Sequence, residues 1–240
     1  MTKLLYQSDS YLNKFAGKVL ATDEESHAIV LDQTVFYPGG GGQPSDIGLV
    51  SYNSKDLKVT GARKKGDNIL HLINLQDHLP EIGTNVSGEI NWERRYRLMR
   101  THTALHILCG VVFRDYGALV TGGDMSPLKG RMDFEFERMQ KDLVESIELA
   151  VNIEVSNDLP IRVKILEREE AFQIPDLIRT KINLLPENIL QVRVVDIVGL
   201  DLQADGGTHV NTTGEVGRIR IRDYKSKGKI NKRIYIELDD

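Results

Sequence analysis

The chain of 240 residues contains a single cysteine, Cys109, and this scarcity excludes two classes of structure. One cysteine cannot form a disulfide within the chain, so we expect a reducing compartment, the cytoplasm. A zinc site built from several cysteines is excluded for the same reason. Any metal must therefore be bound mainly by His, Asp or Glu side chains.

The sequence also lacks a long apolar segment. A helix that crosses a bilayer needs about 20 consecutive apolar residues, and no run in this chain approaches that length. The first residues, MTKLLYQSDSYLNKF, contain no apolar stretch followed by a small-residue cleavage site, so no export signal is indicated. We therefore expect a protein without membrane contact.

An excess of positive charge is absent too, because the formal net charge is −4. Proteins that bind nucleic acid nonspecifically are usually basic overall, so this balance weighs against such a role but leaves room for a local basic patch. Hydrophobic residues make up 40% of the chain, which is enough for a packed core. The length fits one large domain or two small ones.

The first ninety residues are predicted to form short β-strands separated by turns. We expect these strands at residues 17–21, 27–32, 48–52, 57–62, 68–72 and 85–91. Several short strands at close spacing are typical of a small barrel or sandwich. The prediction for residues 1–90 is therefore a small β-barrel-like domain.

The sequence changes character at Trp92. Residues 92–116 contain no proline and no glycine before Gly110, which predicts a long helix. Further elements are expected as a helix at 138–152, strands at 161–166 and 191–201, a short helix at 167–172, and a terminal hairpin of strands 218–222 and 233–236. The predicted class is α+β, with the barrel-like domain packed on an α+β domain of residues 91–240 that contains an antiparallel sheet.

Two histidines four residues apart lie within the predicted helix. His102 and His106 share one helix face, one turn apart, which lets both imidazoles reach one metal ion. They border an apolar stripe that contains Leu98, Leu105 and Leu108, so we expect them to point toward the body of the protein. The spacing alone is a weak signal, because two such histidines can also be hydrogen-bonded core residues.

A third histidine follows a glycine pair. The predicted strand at 191–201 leads into Asp-Gly-Gly-Thr-His at 205–209, where the glycines let the chain turn sharply. A catalytic zinc takes protein ligands at three tetrahedral positions and keeps one for water or substrate. The two helix histidines and His209 would suffice, with Asp205 as a fourth ligand or as a partner of the bound water. The alternative is that Asp-Gly-Gly is only a turn signal.

Three segments together resemble the editing domain of alanyl-tRNA synthetase and its free-standing relatives, the AlaX proteins. They are Arg97-x-x-Arg-Thr-His-Thr-Ala-Leu-His-Ile-Leu108, Asp205-Gly-Gly-Thr-His-Val210 and Phe36-Tyr-Pro-Gly-Gly-Gly-Gly-Gln-Pro-Ser-Asp-Ile-Gly48. Weaker matches at 131–134, 211–217 and 228–234 extend the resemblance over nearly the whole chain. The glycine-rich segment is typical of the medium-length form, and no segment resembles the synthetase regions that charge tRNA.

The resemblance implies a hydrolase that maintains the fidelity of translation by acting in trans on mischarged tRNA(Ala). Serine would be the main amino acid removed, and glycine a second one. It implies Zn²⁺ bound by His102, His106, His209 and the residue at position 205. The family usually has cysteine there, where this chain has Asp205. Asp205 is therefore expected either as a harder ligand or as a catalytic group beside the metal. The sequence does not set the oligomeric state, and a monomer is the simpler expectation.

Substrate contacts are expected near the metal and in the glycine-rich loop. Thr103, beside the first ligand, is the candidate for binding the serine hydroxyl, because a site that hydrogen-bonds a hydroxyl rejects an amino acid that lacks it. The alternative is a helix-interior threonine without a role. Other predicted substrate-binding residues are Gly40, Gly41, Gly42, Gln43, Gln203, Gly207 and Thr208. The loop amides can hold a phosphate or the terminal adenosine, although a plain hairpin loop is the alternative.

Contacts with the tRNA backbone are expected from basic residues, which position phosphates rather than read bases. The preferred contacts lie on the terminal hairpin and are Lys225, Lys227, Lys229, Lys232 and Arg233. The second choices lie on the helix and are Arg94, Arg95, Arg97 and Arg100. Such charge runs are also typical of solvated surfaces.

Two other functions stay open at this point. A zinc peptidase of the H-E-x-x-H type needs a glutamate after the first histidine, where this chain has Thr103. A noncatalytic RNA-binding module with a structural metal would be expected to close its site with cysteine. Cys109 has no basic partner at a fixed spacing and is expected to be a small buried residue.

Overall fold

The computed structural model describes residues 1–180 and 189–240. The chain folds into two compact units, Met1–Tyr96 and Arg97–Asp240. The first unit consists mainly of strands, and the second combines helices with antiparallel sheets. The predicted α+β class is confirmed.

The first unit is built around a closed barrel of six antiparallel strands. The strands of this unit are β1 (Lys3–Leu4), β2 (Lys14–Asp23), β3 (Ala28–Leu31), β4 (Gln33–Thr34), β5 (Gly48–Tyr52), β6 (Lys55–Lys65), β7 (Asn68–Ile73) and β8 (Asn85–Ile90). The barrel order is β2-β3-β7-β6-β5-β8, while β1 and β4 form a separate parallel pair. Closure leaves the barrel no unpaired edge.

The alternation of side chains along the strands fills the barrel. In β8 exposed and buried residues alternate, and Val86 and Ile90 join the buried apolar core. Gly88 lies between them, where an added Cβ would sit 2.1 Å from Cε1 of Phe15. The absence of a side chain at this position makes room for the aromatic ring.

His71 is buried in the barrel as a neutral imidazole. Its Nδ1–H donates to the carbonyl of Ile29 at 3.2 Å, and its Nε2 accepts from the Thr34 hydroxyl at 2.7 Å. The Thr34 oxygen in turn accepts the backbone N–H of Phe36 at 3.0 Å. This network assigns the tautomer. Burial lowers the pKa of His71 to about 4, because the charged ring loses its hydration there.

The lowered pKa of His71 predicts that the first unit loses stability in acid. An unperturbed histidine has a pKa of 6.5, whereas the pKa of His71 is about 4 in the folded chain, so the unfolded state binds more protons between these values. The contribution of His71 to the free energy of unfolding is complete above pH 6.5. It falls by about 3 kcal/mol as the pH drops to about 4.

Urea unfolding followed by the fluorescence of Trp92, the only tryptophan of the chain, measures this acid loss. We expect His71→Gln, which cannot take up a proton, to lose about 3 kcal/mol less than the wild type between neutral pH and pH 4. Equal acid losses in the two proteins would show that His71 is not the group that titrates.

The second unit contains, among the residues that the structure describes, helices α1 to α3 and two antiparallel sheets. The helices are α1 (Trp92–Tyr116, which begins in the first unit), α2 (Lys141–Ser156) and α3 (Arg168–Ala171). A four-stranded sheet has the order β14-β15-β10-β9, and a three-stranded sheet has the order β11-β12-β13. Their strands are β9 (Val120–Ser126), β10 (Lys129–Glu135), β11 (Ile161–Glu167), β12 (Gln191–Ile197), β13 (Asp201–Ala204), β14 (Ile219–Ser226) and β15 (Asn231–Leu238).

The helix predicted at 92–116 and the terminal hairpin are confirmed, but one prediction in this unit is wrong and one hairpin was missed. A single strand was expected at 191–201, whereas the chain turns between β12 and β13, with Gly199 at a φ of 84°. The hairpin of β9 and β10 was not predicted, because the adjacent Gly122 and Gly123 have low β-propensity.

The middle of α1 is enclosed on all sides, since residues 101–112 are all buried. A helix that is buried all round lies in the core of a domain. In the described part of the chain, no helix is both long enough and apolar enough to cross a bilayer. The central position of α1 brings its histidines into the interior of the second unit.

Candidate metal centre

Four side chains from two segments converge inside the second unit. His102 and His106 come from α1, and Asp205 and His209 come from the segment after β13. Their potential ligand atoms all lie within 4.8 Å of one another. The ring centroids of the three histidines are 5.1, 4.3 and 4.7 Å apart. The structure thus brings together the whole metal set expected from the sequence.

The spacing of the donor atoms fits a tetrahedral metal ion. Asp205 Oδ2 lies 3.0 Å from His209 Nε2, and Asp205 Oδ1 lies 3.5 Å from His102 Nε2. Zinc bonds of about 2.0–2.1 Å place tetrahedral ligand atoms about 3.3 Å apart. Three imidazoles and one carboxylate are also a donor set that zinc accepts. The residues present therefore fit the ion that the resemblance implies.

Burial and the charges within the site together shift the pKa values of its four side chains. It lowers the pKa of His209 to about 4 and holds the pKa of His102 well below its usual value. Burial also works to lower the pKa of His106, but the hydrogen bond that this ring donates to the Asp201 carboxylate, together with the negative charges of Asp201 and Asp205, outweighs burial and raises it. For Asp205, burial works to raise the pKa, yet the neighbouring imidazoles, His102 first, hold it well below its usual value. Deprotonated imidazoles and an ionised carboxylate are the forms that bind metals.

Two of the ligand rings are oriented by side chains behind them. Thr103 Oγ1 lies 3.1 Å from Nδ1 of His209, and Asp201 Oδ2 lies 3.0 Å from Nδ1 of His106. Because these contacts occupy Nδ1, each ring presents Nε2 to the cluster. Thr103 therefore lies at the candidate site, where its hydroxyl contacts the ring of His209.

The carboxylate of Asp205 also builds the loop that carries His209. Its Oδ2 accepts the backbone N–H of Gly207 at 2.7 Å, which closes the turn. The Asp205 amide donates to the carbonyl of Arg193 at 3.0 Å, and the Arg193 guanidinium donates to the Asp205 carbonyl at 3.0 Å. Gly207 and Thr208, both expected as substrate contacts, are buried within this loop.

The glycine-rich loop belongs to the first unit. Gly39, Gly40, Gly41 and Gly42 all have positive φ, between 57° and 133°. The backbones of Gly40 and Gln43 exchange two hydrogen bonds of 3.1 and 2.9 Å, so the loop is a tight turn. Gln43 is buried. A role of this loop in substrate binding stays a prediction.

The prediction of Arg95 as a tRNA contact is wrong, because its side chain is fully buried in the first unit. Its guanidinium pairs with the carboxylate of Asp46, with Nε 3.0 Å from Oδ1. It also donates to the carbonyls of Val35 at 2.7 Å and Ser10 at 3.1 Å. Arg94 donates to the carbonyl of Ser45 at 2.8 Å. These arginines bind the start of α1 to connecting segments of the first unit.

The basic residues of the second unit differ in how accessible they are. Arg97 pairs with Asp240, and Arg100 donates to the carbonyls of Val216 and Asp239. On the hairpin, Lys225, Lys227 and Lys229 are exposed.

Two other hairpin residues predicted as tRNA contacts bind groups of the chain itself. Lys232 is buried, and its ammonium donates to the carbonyls of Gly228 and Lys229 at 2.8 and 2.9 Å. This corrects the expectation for Lys232, which stabilises the hairpin loop. Arg233 makes two hydrogen bonds of 2.6 and 2.8 Å to Asp133.

Comparison with known proteins identifies the family. The family models for tRNA synthetases class II (A) and for the threonyl and alanyl tRNA synthetase second additional domain match residues 10–94 and 192–235. The alanyl-tRNA editing protein AlaX-M of Saccharolobus solfataricus is 42% identical over 238 residues, which cover 98% of both chains. The chain belongs to the AlaX-M family of alanyl-tRNA editing proteins.

The AlaX-M relationship extends over the full length. AlaX-M of Methanosarcina acetivorans is 35% identical over an alignment of 246 positions, which covers 100% of both chains. The alanine–tRNA ligase of Saccharolobus islandicus strain M.14.25 is 36% identical over 225 residues, which are 92% of this chain but 25% of the ligase. The resemblance inferred from the motifs is confirmed.

Sequence reasoning missed one buried carboxylate of this AlaX-M site. Asp201 has a side chain with 0% exposure and contacts His106 from behind. Its sequence signal is an acidic residue at the end of a Val/Ile-rich segment, two positions before Gln203. A buried carboxylate needs a hydrogen-bonding or charged partner, and here that partner is a residue of the metal set.

Proposed function

We propose that the chain is a zinc-dependent hydrolase that removes serine, and glycine as a second substrate, from mischarged tRNA(Ala) in trans. The observation that carries this proposal is the cluster of His102, His106, Asp205 and His209, whose donor atoms lie within 4.8 Å of one another. Membership in a family of alanyl-tRNA editing proteins supports the reaction class, aminoacyl-tRNA deacylation.

The proposed reaction is hydrolysis of the ester between the amino acid and the terminal adenosine. When bound, zinc supplies Lewis-acid chemistry for the ester carbonyl and for water. The three imidazoles would hold the metal ion. Asp205 is ionised and has an oxygen 3.0 Å from His209, so it is either the fourth donor or the acceptor of the proton that water releases.

We propose that Thr103 contributes to the discrimination of serine from alanine by orienting His209. Its fully buried hydroxyl lies 3.1 Å from Nδ1 of His209, on the side of the ring away from the donor cluster. The direct hydrogen bond to the serine hydroxyl that was expected from the sequence stays a prediction. Substrate contacts from the glycine-rich loop, Gln203, Gly207 and Thr208 stay predictions, as do the cytoplasmic location and the monomeric state.

Contact with the tRNA backbone is proposed for the exposed hairpin residues Lys225, Lys227 and Lys229. Flexible ammonium groups on an exposed loop suit phosphate contacts, which depend on charge rather than on base identity. Arg97, Arg100 and Arg233 already bind groups of the chain itself, and Lys225 pairs with Asp223 at 3.0 Å. We therefore rank these four residues below Lys227 and Lys229.

The test of the proposed function compares four substrates before and after chelation. These are seryl-tRNA(Ala), glycyl-tRNA(Ala), alanyl-tRNA(Ala) and a casein-type peptide. We expect release of serine, weaker release of glycine and little release of alanine, all lost on chelation and restored by zinc. Binding of tRNA without turnover would favour the RNA-binding module, and cleavage of the peptide would favour a peptidase.

A pair of substitutions tests Asp205 as the fourth donor. Asp205→Ala is expected to weaken zinc binding by at least about tenfold, since removal of an outer-shell partner alone has effects of that size. Asp205→Cys is expected to keep or tighten it, because thiolate is a good zinc ligand. Competition with a chromophoric chelator measures both affinities. Unchanged affinity in both variants would exclude Asp205 from the coordination shell.

A further inference from the structure

Behind the candidate metal centre, His106 contacts a second carboxylate that no part of the proposed reaction uses. Nδ1 of His106 lies 3.0 Å from Oδ2 of Asp201, and both side chains are buried. The two residues are 95 positions apart in the sequence, on α1 and at the start of β13. Their contact is therefore a feature of the tertiary structure rather than of a local motif.

The Asp201 carboxylate is held in place by its own strand. The side-chain amide of Gln203, two residues along β13, donates to the same Oδ2 at 2.7 Å and lies 3.3 Å from Sγ of Cys109. Cys109 lies about one turn after His106 on α1. The helix and the strand therefore meet twice, at His106 with Asp201 and at Cys109 with Gln203. This arrangement leaves the carboxylate little freedom to turn away from His106.

A glycine on α1 permits this close approach. A Cβ added to Gly110 would sit 2.8 Å from Cγ of Leu200 and 3.0 Å from Cβ of Asp201. Such separations are too short for carbon atoms, so a side chain at this position would push β13 away from α1. The distance between Asp201 and His106 thus depends on the bare helix surface at Gly110.

The buried carboxylate has one arginine nearby. Nε of Arg179 lies 3.9 Å from Oδ1 of Asp201, within ion-pair distance, but this oxygen accepts no hydrogen bond from the described residues. Removing a carboxylate from water costs several kcal/mol unless strong contacts offset it. The hydrogen bonds of the Asp201 carboxylate are made with the imidazole of His106 and the amide of Gln203, both at Oδ2.

We propose that Asp201 is a positioning residue for the metal centre. Its carboxylate accepts Nδ1–H of His106, which fixes the tautomer whose Nε2 lone pair faces the metal and makes that nitrogen a stronger donor. Gln203 fixes the carboxylate in turn. This inference rests on the proposed function, since it assumes that the cluster binds a metal.

The first test measures zinc affinity by competition with a chromophoric chelator. Asp201→Asn preserves shape and removes charge, and we expect it to weaken zinc binding by about 10- to 100-fold, the usual effect of losing such a partner. The matched control is Asp196→Asn. Asp196 lies on β12 opposite Leu202 of β13, so its side chain projects from the face of the sheet opposite to that of Asp201. The control is expected to keep wild-type affinity.

The second test needs neither metal nor substrate. In metal-free protein with ¹⁵N-labelled histidine at pH 8, we expect nitrogen chemical shifts that place the His106 proton on Nδ1. In Asp201→Ala that preference is expected to disappear. This readout separates positioning from a general loss of stability, and the wild-type spectrum stays informative if Asp201→Ala does not fold.

The outcomes separate this inference from the proposed function. If the wild type binds zinc and releases serine while Asp201→Asn keeps wild-type affinity, or if His106 carries its proton on Nε2, the positioning role is overturned and the enzyme assignment stands. If the wild type binds no zinc, the enzyme assignment fails, and the His106 tautomer in the wild type and in Asp201→Ala still decides whether Asp201 orients the ring.

Discussion

His102→Ala is expected to lose zinc and serine release together. His102 is a buried member of the donor cluster, with Nε2 3.5 Å from Asp205 and its ring stacked 4.3 Å from that of His209. Removing one of three imidazoles leaves a site that cannot complete zinc coordination. Because a metal ion contributes several kcal/mol to such hydrolysis, we expect the rate of serine release to fall by about a thousandfold or more.

The matched control is His78→Ala, since His78 is an exposed histidine in the first unit. This control should keep one zinc per chain and the full rate, and both proteins should keep their helical circular dichroism. The zinc content is measured by mass spectrometry and the rate with seryl-tRNA(Ala). A His102→Ala protein with wild-type zinc content and turnover would show that the ion, or the reaction, lies elsewhere.

Arg95→Met is expected to destabilise the first unit by about 3–5 kcal/mol, the cost of stranding one charge of a buried ion pair. The Arg95 and Asp46 side chains are 0% and 1% exposed. Without the guanidinium, the Asp46 carboxylate loses its opposite charge but still accepts the hydrogen bond from the backbone N–H of Tyr37. The carbonyls of Val35 and Ser10 lose the hydrogen bonds that Arg95 donates. Urea unfolding followed by Trp92 fluorescence measures the loss.

Two further variants isolate the buried charge as the cause. Arg94→Met removes a neighbouring, half-buried arginine and is expected to cost about 1 kcal/mol. Combining Arg95→Met with Asp46→Asn removes both charges and should recover a large part of the loss, because no buried charge is then left without its partner. A double variant as unstable as Arg95→Met alone would assign the loss to packing instead.

The parts of the candidate metal site that follow local rules were predictable from the sequence. Four-residue spacing on a helix places His102 and His106 on one face regardless of tertiary structure. The Asp-Gly-Gly-Thr-His segment is equally local. That the two segments meet was predicted through the resemblance to a family, since spacing alone leaves their convergence open.

The charged residues that bind distant partners were not predictable in this way. Asp201 meets His106 across 95 positions, and Arg95 meets Asp46 across 49. Lys232 was expected to reach solvent with the other hairpin lysines, but it bends back onto the carbonyls of its own loop. Whether an ionisable side chain faces water or a buried partner depends on the whole fold, because desolvation must be offset by a specific contact.

Anomalous diffraction at the zinc absorption edge from a crystal of the zinc-loaded protein would locate the ion itself. We expect one strong peak per chain, about 2.0–2.1 Å from Nε2 of His102, His106 and His209. A peak bound by other residues, or none at these three nitrogens in a crystal that contains zinc, would contradict the proposed hydrolytic centre.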